Sequence, residues 1–178
     1  DFEGYEYGYA LSLHAEHQAE EALRLTQQGL SKNPFDTRLL LLASQLSYEL
    51  HDERKAEDYL LKAKDNAEDL EEIALRLSNL YLEQERFDEV LKFEEQDIDN
   101  VLTKWNIARA YQALEQTTAA LERYRLLLSD LKENPEFLEQ YIYLLREMGD
   151  FEEAKHQAEH YLHLVPDDVE MQELYDSL

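Results

Sequence analysis

The sequence predicts an all-α fold, a stacked array of antiparallel helix pairs, and three observations carry that expectation. Small residues recur at Ala22, Ala56, Val90, Ala120 and Ala154, at intervals of 34, 34, 30 and 34 residues. A period of this size marks repeats that pile up in chain order, each burying its apolar side against its neighbour. Apolar positions inside the segments follow helical spacing: Ala74, Leu77, Ser78 and Tyr81 fall at i, i+3, i+4 and i+7, and Ile107, Ala108 and Tyr111 do the same over a shorter span. Four Gly and three Pro are too few for an all-β chain with many turns.

Five helix pairs and a final single helix can be read in order. The first pair spans Tyr5–His14 and Ala19–Leu30. Asn33-Pro34-Phe35-Asp36 then breaks the chain, because Pro34 lacks a donor, and Asp36 can cap the next helix. The second pair spans Thr37–Tyr48 and Glu53–Ala63, the third Leu70–Glu83 and Phe87–Gln96. Asp69-x-x-Glu72 has the spacing of a capping box. The fourth pair spans Val101–Ala113 and Thr118–Lys132. Asn134 caps the fifth, with Pro135 at its first helical position. That pair spans Glu136–Met148 and Phe151–Leu164, and Gly149 suits the left-handed residue that ends a helix. Val169–Leu178 closes the chain, with Val169, Leu174 and Leu178 on its apolar side.

Small residues at Ser78 and Ala108 let neighbouring helices approach, and the rings of Tyr81 and Tyr111 fill the space one turn on. These motifs resemble the tetratricopeptide repeat family. Its repeat has a large, then a small, then an aromatic residue on the first helix, a small residue early on the second, and a proline near the end. The third repeat reads Leu77-Ser78-x-x-Tyr81, then Phe87-x-x-Val90. The fourth reads Ile107-Ala108-x-x-Tyr111, then Ala120 and Tyr124. The fifth reads Tyr141-Ile142-x-x-Leu145, then Gly149-Asp150-Phe151-x-x-Ala154 and Pro166. The first matches through Ala10, Leu13, Ala22 and Pro34. The second fits as Leu42-Ala43-x-x-Leu46, then Ala56 and Ala63, with one extra residue in its turn.

The resemblance implies a right-handed superhelical solenoid of about five repeats, at 3–35, 36–69, 70–100, 101–134 and 135–168, with a capping helix at 169–178, all in one domain. The chain departs from the pattern in two ways. Glycine stands at the inter-helix turn once, with His51, Glu85 and Glu115 at comparable points. The third repeat is about four residues short, which trims its second helix near Asp97–Asn100. No cap precedes the first pair, where Phe2, Tyr5, Tyr7 and Tyr9 crowd the start. Either further repeats precede it in a longer parent chain, or the tyrosines tuck onto the first pair.

Composition bounds the function. At 178 residues and 44% apolar, the chain has the material for a continuous core. Its net charge of −24, from 41 acidic and 17 basic residues, repels phosphate backbones and anionic lipid, so neither nucleic acid nor membrane is an expected partner. The longest apolar run, Leu39–Ala43, falls far short of the roughly 20 residues of a membrane helix. Absence of Cys excludes disulfides and thiolate metal sites and permits a reducing compartment, so a cytoplasmic location is expected.

No Gly-rich phosphate loop, nucleophile elbow or HExxH is present, so no enzyme and no cofactor are expected. His156, His160 and His163 share one helix face at i, i+4 and i+7, a spacing that brings imidazoles together, but no ligand from a second segment accompanies them and no metal is expected.

Function is therefore expected to be protein–protein interaction. The resemblance places first helices along a concave groove. By register it is lined by Tyr7, Leu11 and His14; Leu40, Ser44 and Ser47; Leu75, Asn79 and Leu82; Trp105, Arg109 and Gln112; and Glu139, Tyr143 and Arg146. The candidate partner-binding residues are Asn79, Trp105, Arg109, Gln112, Tyr143 and Arg146. Arg grips a carboxylate through paired hydrogen bonds, and Trp and Tyr are common anchors. The competing reading pairs both arginines with Glu136, Glu139 or Glu147 and packs Trp105 between repeats. The alternative role is self-assembly, a homodimer or an upstream repeat docking on the tyrosine-rich first helix.

Overall fold

The computed structural model describes residues 4–178. Phe2, part of the tyrosine-rich start, lies outside the described residues, as do Asp1 and Glu3. Among the described residues there are eleven α-helices, one 3-10 turn and no strand. The helices are α1 (Tyr5–Ala15), α2 (Ala19–Lys32), α3 (Thr37–Glu49), α4 (Glu53–Lys64), α5 (Glu71–Glu83), α6 (Phe87–Leu91), α7 (Val101–Ala113), α8 (Thr117–Leu131), α9 (Pro135–Glu147), α10 (Phe151–Leu164) and α11 (Val169–Ser177). Every expected helix end is met within two residues except that of α6.

The chain divides into two compact units, Asp1–Gln84 and Glu85–Leu178. In the first, α1 packs on α2 and α3 on α4, with α2 against α3 and α4 against α5. In the second, α7 packs on α8 and α9 on α10, with α8 against α9 and α6 against α7. The closing helix α11 covers α10. Its buried residues are Met171 and Leu174, whereas Val169 is 68% exposed and does not belong to the apolar side. Two carboxylate bonds place α11: Tyr161 Oη donates to Asp168 Oδ2 at 2.8 Å, and Met171 N donates to Asp168 Oδ1 at 3.0 Å.

The periodic small residues do what their spacing implies. Ala22, Ala56, Val90, Ala120 and Ala154 are all fully enclosed, so a larger side chain at any of them would force the paired helices apart. Caps also form as expected at two helices. Asp36 Oδ1 accepts from Arg38 N and Leu39 N at 3.0 and 3.3 Å, and Asn134 Oδ1 accepts from Phe137 N at 3.1 Å. The expected capping box at Asp69 is not built. Asp69 accepts from Glu71 N at 2.9 Å, while the Glu72 carboxylate turns away to Arg76, 2.5 Å off.

All five inter-helix turns hold three residues, from 16–18 to 148–150. In four of them the same pair of backbone bonds closes the turn. Gln18, Asp52, Gln116 and Asp150 each donate to the carbonyl five residues back, and His17, His51, Glu115 and Gly149 to the one three back. This is the Schellman arrangement, which demands a left-handed residue. The chain supplies glycine only at Gly149, with φ 78°. His17, His51, Glu85 and Glu115 take φ of 60°, 61°, 56° and 57° instead.

Constant turn length corrects the second repeat, where an extra turn residue was expected. The position held by a small residue on most first helices precedes its partner on the second by twelve residues at Ala10 and Ala22, Ser78 and Val90, Ala108 and Ala120, and, with isoleucine in its place, Ile142 and Ala154. The same interval from Ala56 falls on Ser44, not Ala43. Ser44 is 3% exposed, and its hydroxyl donates to the Ala56 carbonyl at 3.0 Å, tying α3 to α4 at the close approach.

The short third repeat loses its second helix earlier than expected: the helix was expected to reach Gln96, with the trimming near Asp97–Asn100, and it ends five residues sooner. The α6 helix stops at Leu91, tightens into a 3-10 turn over Lys92–Glu95, and leaves Gln96 extended at φ −98° and ψ 151°.

One buried charge stands in the first unit. Glu6 of α1 is 2% exposed and is held by Lys32 from α2, whose ammonium also lies 5.4 Å from the Tyr5 ring centroid. The hydrogen bond from Lys32 keeps the Glu6 carboxyl below its ordinary value of 4.5. A carboxyl depressed on folding adds stability that is fully present above its unfolded value and is lost as pH falls through the folded one. We expect carboxyl-detected NMR titration to place Glu6 below 4.5 in the native chain and to move it upward in Lys32→Ala; an unchanged titration would contradict the pairing.

Candidate functional site

In the first unit, α3, α4 and α5 enclose a groove of about 390 Å³. Its floor is Ala56, Leu60 and Leu80, and its walls carry Gln45 and Tyr48 from α3 and Arg76, Asn79 and Glu83 from α5. Arg76 is fixed at both nitrogens: one donates to the Leu41 carbonyl at 3.1 Å and the other to Glu72. Tyr48 Oη donates to Glu83 Oε2 at 2.7 Å, and that bond raises the Tyr48 phenol above its ordinary value. Asn79 is exposed on the groove wall.

The register correction explains which α3 residues reach this groove. Leu40, Ser44 and Ser47 are all buried, at 0, 3 and 0% exposure. Moving each by one residue gives Leu41, Gln45 and Tyr48, which are half-buried or exposed. Because successive helical residues turn by about 100°, a one-residue slip carries a lining position into the core. Gln45, Tyr48, Arg76 and Glu83 were therefore missed, and the constant twelve-residue interval was the signal that identifies the first two.

In the second unit, α7 and α9 are joined through Trp105. Its ring is only 6% exposed and meets Phe137 edge-on at 5.8 Å, while Nε1 donates to Gln140 Oε1 at 3.1 Å. Trp105 thus backs the surface rather than forming it. Tyr124 Oη sits 2.9 Å from the same Gln140 oxygen and 3.1 Å from Gln112 Oε1, so its one proton serves either amide. Burial pushes the Tyr124 phenol up to about 12, which keeps it a neutral donor at pH 7. The amide oxygen of Gln112 therefore points inward to Tyr124.

Above this layer stands Arg109, its guanidinium carbon 5.6 Å from the Trp105 ring centroid. Tyr143 and Arg146 are exposed on α9. Among the described residues no carboxylate pairs with Arg109 or Arg146, so the expected self-pairing with Glu136, Glu139 or Glu147 is not formed. Arg54, Lys62, Lys132 and Lys155 likewise have no carboxylate partner among the described residues, so what distinguishes Arg109 is its seat over the Trp105 ring. Asn79 belongs to the first unit and the other five candidates to the second.

Two of the three histidines in the row bond to backbone carbonyls. His160 Nε2 lies 2.9 Å from the Lys132 carbonyl, and His163 Nδ1 2.8 Å from the Glu159 carbonyl. No group of three or more His, Cys, Asp or Glu among the described residues has metal-holding geometry. No described helix is long and apolar enough to cross a membrane.

Stacked helix hairpins with Schellman turns and enclosed small residues define a helix-pair repeat protein. Comparison narrows this: residues 102–168 match the family model of YpiA-like, C-terminal tetratricopeptide repeats. YrrB, described as a TPR protein with an unusual peptide-binding site, is 13% identical with a TM-score of 0.71, covering 96% of this chain and 90% of its own. MamA (41-end) from Desulfovibrio magneticus RS-1 is 14% identical with a TM-score of 0.77, covering 95% of this chain and 98% of its own. TTC0263, a thermophilic TPR protein of Thermus thermophilus, is 19% identical with a TM-score of 0.61, covering 98% and 97%. No curated protein matches the sequence. The chain has the fold of tetratricopeptide repeat proteins, and residues 102–168 carry the match to that family.

Proposed function

We propose that this chain is a non-catalytic interaction scaffold that receives a partner segment on its first helices. The observation that carries the reading is Arg109 seated over the Trp105 ring, with Tyr143 and Arg146 exposed on α9 of the same unit. Arg109 is oriented by Trp105, which is itself locked by Gln140. Such preorganisation lowers the ordering cost of binding. Tyr143 supplies contact area, and the Gln112 and Gln140 amides brace the layer beneath. The segment it suits carries a carboxylate, at its C-terminus or on an acidic side chain. Asn79 serves the first-unit groove, where its amide can pair with a peptide backbone. Peptide binding by the structurally similar YrrB agrees with this use of the fold.

A labelled decapeptide ending in a free carboxylate, compared with its C-terminal amide, tests the site. We expect Arg109→Ala and Arg146→Ala each to weaken the acid form by about tenfold, the scale of a lost charge-assisted pair, and the amide to bind as weakly as the variants. Equal affinity of all forms would remove the proposal.

A second reading, self-association through α1, rests on Tyr5 and Tyr9, which are 47 and 56% exposed. Tyr7 instead packs under Arg38, its centroid 5.2 Å from the guanidinium carbon. Light scattering on dilution separates the readings: a dimer lost in Tyr5→Ser with Tyr9→Ser favours this one, and a monomer at every concentration excludes it.

A further inference from the structure

The first-unit groove treats its two charged residues differently. Its donor side chains Ser44, Gln45, Tyr48 and Arg76 each have an acceptor within the chain. Ser44 donates to the Ala56 carbonyl, Gln45 Nε2 to Glu49 at 3.1 Å, Tyr48 Oη to Glu83 Oε2, and Arg76 to the Leu41 carbonyl and to Glu72. The last of these bonds sets a carboxylate against the Arg76 charge. Glu83 is in the opposite condition. It is exposed, no cation among the described residues pairs with it, and the Tyr48 hydroxyl engages only one of its two oxygens.

Tyr48 and Glu83 thus offer acceptors side by side. A hydroxyl that gives its proton away keeps lone pairs, and this one lies 2.7 Å from the carboxylate. The bond to Glu83, with burial and the charges of Glu83 and Glu53 behind it, holds the Tyr48 phenol above its ordinary value, which puts Glu53 within electrostatic reach of the same end of the groove. Glu53 accepts from the neutral Gln84 amide at 3.0 Å and has no cation either. Two carboxylates without a counter-charge suit a ligand cation, and the floor of Ala56, Leu60 and Leu80 suits an apolar stem. An ammonium is a compact charge with three donors, which two unlike acceptors can share, whereas a planar guanidinium is matched best by a carboxylate with both oxygens open.

We propose that the first-unit groove takes a lysine side chain of a partner segment, with its ammonium held by Glu83 and the Tyr48 hydroxyl oxygen and its methylene stem on Ala56, Leu60 and Leu80. The groove, at about 390 Å³, is large enough for one long side chain and its flanking backbone. This inference rests on the scaffold reading and deepens it by naming a side chain for the groove that Asn79 borders. Its charge preference is opposite to that of Arg109, so the two sites are separable.

The probe is a nonapeptide with one central lysine among alanines and serines, acetylated at its N-terminus and amidated at its C-terminus, so that it carries no carboxylate for Arg109. The controls hold norleucine or Nε-acetyllysine in place of lysine, which keep the stem and lose the charge. Binding is followed by amide NMR at physiological ionic strength. We expect the lysine peptide to shift the amides of Tyr48, Asn79 and Glu83 and to bind about tenfold more tightly than either control, the scale of a charge-assisted bond. Glu83→Gln should abolish that preference without moving the melting temperature, because Glu83 is exposed, and Tyr48→Phe should reduce it severalfold. Glu152→Gln, which removes an exposed carboxylate of α10, should leave it intact, and so should Arg109→Ala. Equal binding of the three peptides, a preference that survives in Glu83→Gln, or one lost equally in Glu152→Gln would overturn the proposal. If the decapeptide acid still discriminates at Arg109, only this inference falls; if neither peptide binds, the scaffold reading falls with it.

Discussion

Replacing Phe137 by alanine should cost the second unit about 3–5 kcal/mol, the range for deleting a buried aromatic side chain. Phe137 is 0% exposed at the start of α9, with ring centroids of Trp105, Tyr124 and Tyr141 at 5.8, 5.2 and 6.2 Å. These rings come from α7, α8 and α9, so the cavity would open where three helices meet. Each aromatic pair adds about 0.5–1.5 kcal/mol beyond its buried area, and three are lost together. The measurement is urea unfolding followed by the fluorescence of Trp105, the sole tryptophan and a direct neighbour of the mutated ring. Phe137→Leu should cost much less, because it refills most of the volume. A loss below about 1 kcal/mol in the alanine variant would contradict the packing.

Replacing His17, His51, Glu85 and Glu115 together by glycine should stabilise the chain by about 2–4 kcal/mol, the sum of a small gain at each site. A left-handed L-residue costs roughly 1–2 kcal/mol, and glycine returns about 0.5–1 kcal/mol of that through its freedom in the unfolded chain. The difference is about 0.5–1 kcal/mol per site. All four side chains are exposed and engage no neighbour, so little is lost with them. For a chain of 178 residues each kcal/mol moves the melting temperature by about 2–4 °C, so the combined rise is about 5–15 °C by calorimetry. Gly149→Ala supplies the reverse test and should lower it. A fall in melting temperature for the fourfold variant would mean that the turns are not strained.

Helix positions were legible because two local signals agree. Apolar spacing marks each helix face, and Asp36, Asn134 and Gly149 mark ends through bonds made within their own turn. The slip at Ala43 shows the limit of this reading. Both Ala43 and Ser44 are small and both are buried, so composition alone does not rank them. The bond from Ser44 to Ala56, made twelve residues away, decides which one faces α4. The candidate site divides the same way. That Arg109, Tyr143 and Arg146 lie on outward positions followed from register, whereas the inward use of Trp105 and Gln112 depends on Gln140 and Tyr124, whose side chains arrive from other helices.

By itself, the sequence determined the repeat length, the helix order, the shortened third repeat and the acidic surface, because each of these is a property of neighbouring residues or of their sum. Tertiary structure alone decided that Trp105 turns inward to Gln140 and that Tyr48 meets Glu83 at the first-unit groove. Those features depend on where side chains from separate helices end up, and helical periodicity specifies the face a residue occupies without specifying what stands opposite it.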